Sequence, residues 1–280
     1  MTTASAPASS ANLGPGFDVL ALALDLEVSV TLAAGERWQS AELEPEGLAM
    51  VQQAAELAVP TIGPHTVSVH GDIPLGRGLG SSAALRVASA AAAMAAVGGG
   101  LEPDEVFRAA AAAEGHPDNV AASTYGGLVA VAPEGAVRRL NLHPSFIALV
   151  AVPGAVLSTA EARRVLDAEV DRDVAVRTVA RTVFLVEGLR TGDVSVLRSV
   201  SYDEMHEARR AELSPLTDVL VREARDAGAA FSAWSGAGPS ALAFVTEESE
   251  EPVRLAWEQV LGDDGEVMAP GVAGRGVVID

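Results

Sequence analysis

The chain has 280 residues, 49% hydrophobic, 20% charged and 4% aromatic, enough for a sizeable core in one large or two compact domains. It contains no cysteine, and all 19 basic residues are arginine. Disulfides, thiolate metal sites, cysteine nucleophiles, a P-loop lysine, a Schiff base and a Ser–Lys dyad are therefore excluded. The net charge of −19 argues against a basic surface for nucleic acid.

An acidic, lysine-free protein that binds a nucleotide must use local devices: backbone N–H groups, helix N-termini, a few arginines and a divalent cation. No segment reads as a membrane span, and Met1 to Ser10 lack the regions of a signal peptide, so no membrane partner and a cytoplasmic location are expected.

In chain order, Asp18 to Leu32 reads as a strand, with Val28, Val30 and Leu32 alternating against Ser29 and Thr31. Glu46 to Ala58 reads as a helix closed by Pro60, and Thr66 to Ile73 as a strand stopped by Pro74. Then comes Pro74-Leu75-Gly76-Arg77-Gly78-Leu79-Gly80-Ser81-Ser82-Ala83-Ala84, a glycine-punctuated loop leading into an alanine-rich helix to Val97, with serine as the N-cap and Gly98 to Gly100 as the stop. Such a loop can converge N–H groups on a phosphate, yet its spacing fits neither the P-loop nor the Rossmann fingerprint. Leu101-Glu102-Pro103-Asp104 is expected to start a further helix through Ala113, followed by Glu114-Gly115-His116-Pro117-Asp118-Asn119.

Phe146 to Val152 is a short apolar strand where a second domain could begin. Helices are expected over Ser158 to Val170, Val174 to Leu189, Val194 to Arg210 and Leu216 to Ala227. Ala229 to Trp234 and Ala241 to Val245 read as strands around Ser235-Gly236-Ala237-Gly238-Pro239-Ser240, and Glu247 to Glu251 as a solvated loop.

The segment from Pro74 to Ala84 resembles the ATP-binding signature of the GHMP kinases. Three further segments resemble motifs of the homoserine kinases within that superfamily: Pro7 to Asp18, Glu114 to Ala121, and Ser158 to Arg163. Ser235 to Ser240 resembles the superfamily's third glycine loop. The resemblance implies an α+β, two-domain fold, residues 1–145 and 146–280, with the active site in the inter-domain cleft. It implies ATP on Pro74 to Ala83 and Mg²⁺ on Ser82 and Glu114.

The implied substrate is L-homoserine, phosphorylated on its hydroxyl in a step towards threonine, with a homodimer as a candidate assembly. Asn12, Asp18, His116, Asp118, Asn119, Thr159, Arg163, Arg210 and Gly236 would line its pocket. Arg163 and Arg210 would take its carboxylate, and Asp18 its ammonium. The alternatives are another small-molecule GHMP kinase or a non-catalytic ligand-binding relative. Three departures stand out: Ala21 for a usual glycine, Ala49 where an asparagine often starts the helix near the adenine, and Ser123-Thr124 for a Pro-Ala-like pair. Trp234 is large where a small or β-branched residue is expected.

Overall fold

A computed structural model describes all 280 residues. The first half builds strands β1 (Thr2–Leu13), β2 (Gly16–Ala34), β3 (Gln39–Ser40), β4 (His65–Gly71), β5 (Leu128–Val131) and β6 (Val137–Leu140). Its helices are α1 (Pro45–Ala58), α2 (Ser81–Ala96), α3 (Pro103–Glu114) and α4 (Pro117–Tyr125). The second half adds β7 (Ile147–Pro153), β8 (Phe231–Trp234), β9 (Ala241–Val245), β10 (Gly265–Met268) and the closing β11 (Val278–Ile279). Its helices are α5 (Thr159–Arg164), α6 (Arg172–Thr191), α7 (Val194–Ser199), α8 (Glu207–Ala211), α9 (Pro215–Asp226) and α10 (Glu247–Leu261).

Two sheets organise the molecule. The first runs β11-β1-β2-β4-β3, with β5 on the leading half of β2 and β6 beyond it. The second is antiparallel in the order β10-β7-β9-β8. The strand β11 returns the end of the chain to β1, where Ser5 pairs with Val278.

Alternation explains why β7 and β9 are apolar throughout. Ala148, Val150, Val152, Leu242 and Phe244 join the main core shared with the first sheet. Leu149, Ala151, Ala241, Ala243 and Val245 join a second core with Leu220 and Val221 of α9 and Trp257 of α10.

The strand β1 is the main element that residue pattern does not announce. Its sequence TTASAPASSANL has little intrinsic strand preference. It is held by pairing with β2 and by α2, whose alanines pack against it. Small side chains on both surfaces let helix and strand approach closely.

Three expectations need correction. Glu247 to Glu251 is not a loop: it opens α10, capped reciprocally by Thr246 and Ser249. Acidic side chains in a first turn favour a helix, because they face its positive dipole end. The expected helix from Val194 to Arg210 is broken into α7 and α8 by Asp203, whose Oδ2 accepts from the N–H groups of Met205 (2.6 Å) and His206 (2.9 Å). The expected helix from Ser158 to Val170 stops at Arg164, with Ser158 Oγ accepting from Glu161 N at 3.2 Å.

Candidate active site

A cleft of about 630 Å³ opens between the two halves. One wall is the turn before α2. Gly76, Gly78 and Gly80 all have left-handed φ, at 66°, 77° and 66°. Gly80, not a serine, is the N-cap of α2, and no side chain caps that end. The first N–H groups of α2 are thus left for a ligand, which is the preference of a helix N-terminus for anions.

The turn is pinned from several sides. Ser9 N donates to Leu79 O at 3.0 Å. Ser235 Oγ donates to Gly78 O at 2.8 Å, and Ser240 N donates to Arg77 O at 3.3 Å. Gly236 N donates to Ala11 O at 2.8 Å. The first and third glycine loops and β1 therefore form one backbone-bonded unit. Trp234 fits beneath it because Gly238 has no side chain; a Cβ there would meet Trp234 Cζ3 at 2.6 Å.

Beside the turn, Ser82 Oγ donates to Glu114 Oε2 at 2.6 Å. Arg86 Nε donates to the same oxygen at 2.7 Å, and Arg86 Nη1 reaches Gln53 Oε1 at 3.0 Å. Arg86 is a residue that sequence reasoning missed; its signal is a lone charge in an alanine-rich helix.

Across the cleft lie two arginines. Arg163 holds Asp18 bidentately, Nη2 to Oδ1 at 2.6 Å and Nη1 to Oδ2 at 3.1 Å. Arg210 is fully buried. Its Nη1 donates to Gly236 O at 3.0 Å and faces His206 Nδ1 at 3.3 Å, while its Nη2 is buried without a partner. Burial, and next Arg163, pull the Arg210 guanidinium down to about 10, so it remains charged at neutral pH. Burial holds His206 at about 3. The neutral ring donates from Nε2 to Gly14 O at 3.1 Å and accepts from Arg210. Phe17 completes the cluster, with Arg210 Cζ 5.2 Å and Arg163 Cζ 5.9 Å from its ring centroid. Phe17 was legible only as a member of the segment from Pro7 to Asp18.

Asn12 ties these groups together from a left-handed conformation, φ 57°, that asparagine tolerates. Its Nδ2 donates to Gly236 O at 2.9 Å and its Oδ1 accepts from Asp18 N at 3.0 Å. Asn119 accepts from Ser9 Oγ at 2.9 Å. His116 lines the cleft, its imidazole lowered by burial and then by Arg163.

Asp118 is buried, with Oδ1 on Asn119 N at 2.8 Å and Oδ2 unpartnered. Burial raises its carboxyl to about 6. The folded chain therefore holds this proton more tightly than the unfolded chain. The resulting penalty is absent below about pH 4 and complete above about pH 6, worth about 3 kcal/mol. Urea denaturation of Asp118→Asn should show a stability gain over wild type that grows from pH 4 to pH 6 and then levels off. A gain independent of pH would contradict the assignment.

Most of the expected residues meet on this cleft: Asn12, Leu75, Gly76, Gly78, Gly80, Ser81, Ser82, Glu114, His116, Asp118, Asn119, Thr159, Arg163, Arg210 and Gly236. Pro74, Arg77, Leu79 and Ala83 lie off its wall. Arg77 turns away to the carbonyl of Ala155, and Leu79 and Ala83 are core residues. Asp18 also lies off the wall, paired with Arg163, which lines it. The cleft is also lined by Leu43, Gly47, Met50 and Leu85 with Glu42, Glu44 and Glu46. No helix is long and apolar enough to cross a membrane.

Comparison with known proteins adds to this geometry. Residues 48–127 match the GHMP kinases N terminal domain, and residues 185–263 match the GHMP kinases C terminal domain. A homoserine kinase of Moorella thermoacetica is 38% identical over 255 residues, covering 85% of each chain. One of Solibacter usitatus is 39% identical over 275 residues, covering 92% of this chain and 90% of its own. The crystal structure of homoserine kinase from Cytophaga hutchinsonii superposes with a TM-score of 0.87 at 29% identity, covering 100% of this chain and 97% of that one.

Proposed function

The chain belongs to the homoserine kinases of the GHMP kinase family, and from that premise we propose that this cleft transfers the γ-phosphoryl group of ATP to the side-chain hydroxyl of L-homoserine. One observation carries the reading: the glycine turn at an uncapped helix end and two guanidinium groups open onto the same cleft. The turn suits a triphosphate. The arginines suit a carboxylate, which a sugar substrate lacks.

In the proposed binding mode the N–H groups of α2 and the turn from Gly76 to Ser82 hold the phosphates. Arg210, with its unpartnered Nη2, receives the substrate carboxylate. Asp18 receives the ammonium and frees Arg163 to join Arg210. A zwitterion suits this exchange because it separates the Asp18–Arg163 pair without leaving either ion unmatched. Asn12, Thr159 and Gly236 shape the pocket, while His116, Asp118 and Asn119 lie towards the hydroxyl.

The donors near the phosphates fit magnesium: a hydroxyl and a carboxylate, hard oxygen ligands side by side on the cleft wall. When bound, the ion supplies charge neutralisation between the β- and γ-phosphates. Ser82 and Glu114 would hold it. Transfer makes a P–O bond to the substrate oxygen, breaks the bridge to ADP and releases the hydroxyl proton. Such transfer depends mostly on positioning and electrostatics, which the pinned turn provides. We also take residues 1–145 and 146–280 as the two domains. The change of sheet after Leu140 supports this division, with β11 crossing back to the first.

The test is a coupled ADP-release assay across L-homoserine, mevalonate, galactose and shikimate. Turnover of homoserine well above the other three is expected. Activity with one of those three and none with homoserine would overturn the substrate assignment and leave the fold standing.

A further inference from the structure

Arg86 is the lone charged side chain of α2, and it is 8% exposed. It lies one turn after Ser82 and off the cleft wall, and it approaches Glu114 from the protein side. Both of its recorded partners are side chains of neighbouring helices: Glu114 of α3 at 2.7 Å and Gln53 of α1 at 3.0 Å. Glu114 is thus already neutralised. Its Oε2 accepts from both Arg86 Nε and Ser82 Oγ.

A second observation concerns the surroundings. No group of three or more His, Asp or Glu side chains converges in the molecule to hold a metal ion by itself. A hard divalent cation takes six or more oxygen ligands. Here the protein offers one hydroxyl and one carboxylate, and the carboxylate shares an oxygen with a guanidinium. At so short a range the guanidinium's repulsion of a cation is of the same order as the carboxylate's attraction. The bare ion therefore gains little by leaving water. A metal bound to a triphosphate differs in two ways: it brings most of its own oxygen ligands, and its negative phosphates are drawn by the N–H groups of α2.

We propose that Arg86 is a charge-balancing and positioning residue that holds Glu114 and lowers its affinity for a bare divalent cation, so that the metal enters this cleft as its nucleotide complex. The proposal rests on the reading of Ser82 and Glu114 as the metal-holding pair. It explains why a lysine-free kinase buries an arginine against the very carboxylate it needs for a cation.

The experiment is a Mn²⁺ titration of the full chain, followed by electron paramagnetic resonance, first alone and then with a non-hydrolysable ATP analogue. Wild type, Arg86→Gln and Arg86→Lys are compared. Glutamine keeps a hydrogen-bond donor without the charge, and lysine keeps the charge. Bare Mn²⁺ should bind Arg86→Gln at least about tenfold more tightly than wild type or Arg86→Lys. That gain should vanish in the Arg86→Gln/Glu114→Gln double variant. A purely structural arginine would lower the melting temperature and leave bare-metal affinity unchanged, and that result overturns the proposal.

Should Arg86→Gln fail to fold, wild type decides by itself. Tight binding of bare Mn²⁺ to wild type, lost in Glu114→Gln, would overturn the proposal, and weak binding that strengthens with the nucleotide would support it. If Glu114→Gln leaves metal–nucleotide binding unchanged, the metal reading falls and takes the proposal with it. If that variant weakens the complex while Arg86→Gln gains nothing, the proposal alone falls.

Discussion

Replacing Arg210 with methionine should raise the KM for L-homoserine by about 10²–10³-fold and leave the KM for ATP within about threefold of wild type. The size follows from the state of the guanidinium. It is fully buried, and its Nη2 has no partner. In the empty protein that is an unfavourable arrangement, since a buried N–H without an acceptor loses its hydration for nothing. A carboxylate in the cleft removes the penalty and adds a charge-assisted hydrogen bond in a dry setting. Deleting one partner of such a pair costs about 3–5 kcal/mol.

Methionine keeps an apolar stem and removes the guanidinium, whose carbon lies 5.2 Å from the Phe17 ring centroid. Gly236 O, which Arg210 also holds, retains its bond from Asn12 Nδ2 at 2.9 Å. Folding stability should change little, because relief of the buried ion is offset by leaving the buried His206 Nδ1 without its donor. Steady-state kinetics with each substrate varied, alongside thermal melting, separates the two effects. An unchanged homoserine KM would remove Arg210 from the substrate site.

How much of this site could be read from residues alone depended on how local its chemistry is. The turn from Gly76 to Gly80 was legible because its three left-handed positions need glycine, whatever packs around them. The strand pattern of β9 was legible for a similar reason, being apolar on both faces. Features made by distant partners were not. Nothing in Arg163 or Asp18 says that 145 residues of separation end in a bidentate pair. Nothing local in Arg86 says that it will meet Glu114.

The break between α7 and α8 depends on one Asp203 side chain taking two backbone N–H groups, and periodicity cannot see that. The first turn of α10 reads as loop from its charge alone, although the helix dipole favours acids there. Trp234 looked too large for its place. The space it needs is provided by a glycine four positions later, folded back over its ring.

The other large effect is expected at Gly78. A Cβ there would meet Gly238 O at 2.7 Å and come closer still to Ser235 O. Both obstacles are backbone, so no flexible side chain can swing aside. The residue also has φ 77°, which L side chains rarely adopt. Alanine must therefore either push the first and third glycine loops apart or pull the turn out of shape. Either response breaks the bonds from Ser235 Oγ to Gly78 O and from Ser240 N to Arg77 O that pin the turn.

We expect Gly78→Ala to destabilise the fold by about 3 kcal/mol and to raise the KM for ATP by more than about 100-fold. Gly98 supplies the control. It has φ 79°, but a Cβ there meets nothing within 4 Å. Gly98→Ala carries the same conformational strain without the clash and should cost only about 1 kcal/mol, with both KM values unchanged. The difference between the two variants isolates the docking of the two loops from the strain of a left-handed alanine. If Gly78→Ala matched Gly98→Ala in melting temperature and in ATP kinetics, the two loops would not be acting as one phosphate-holding unit.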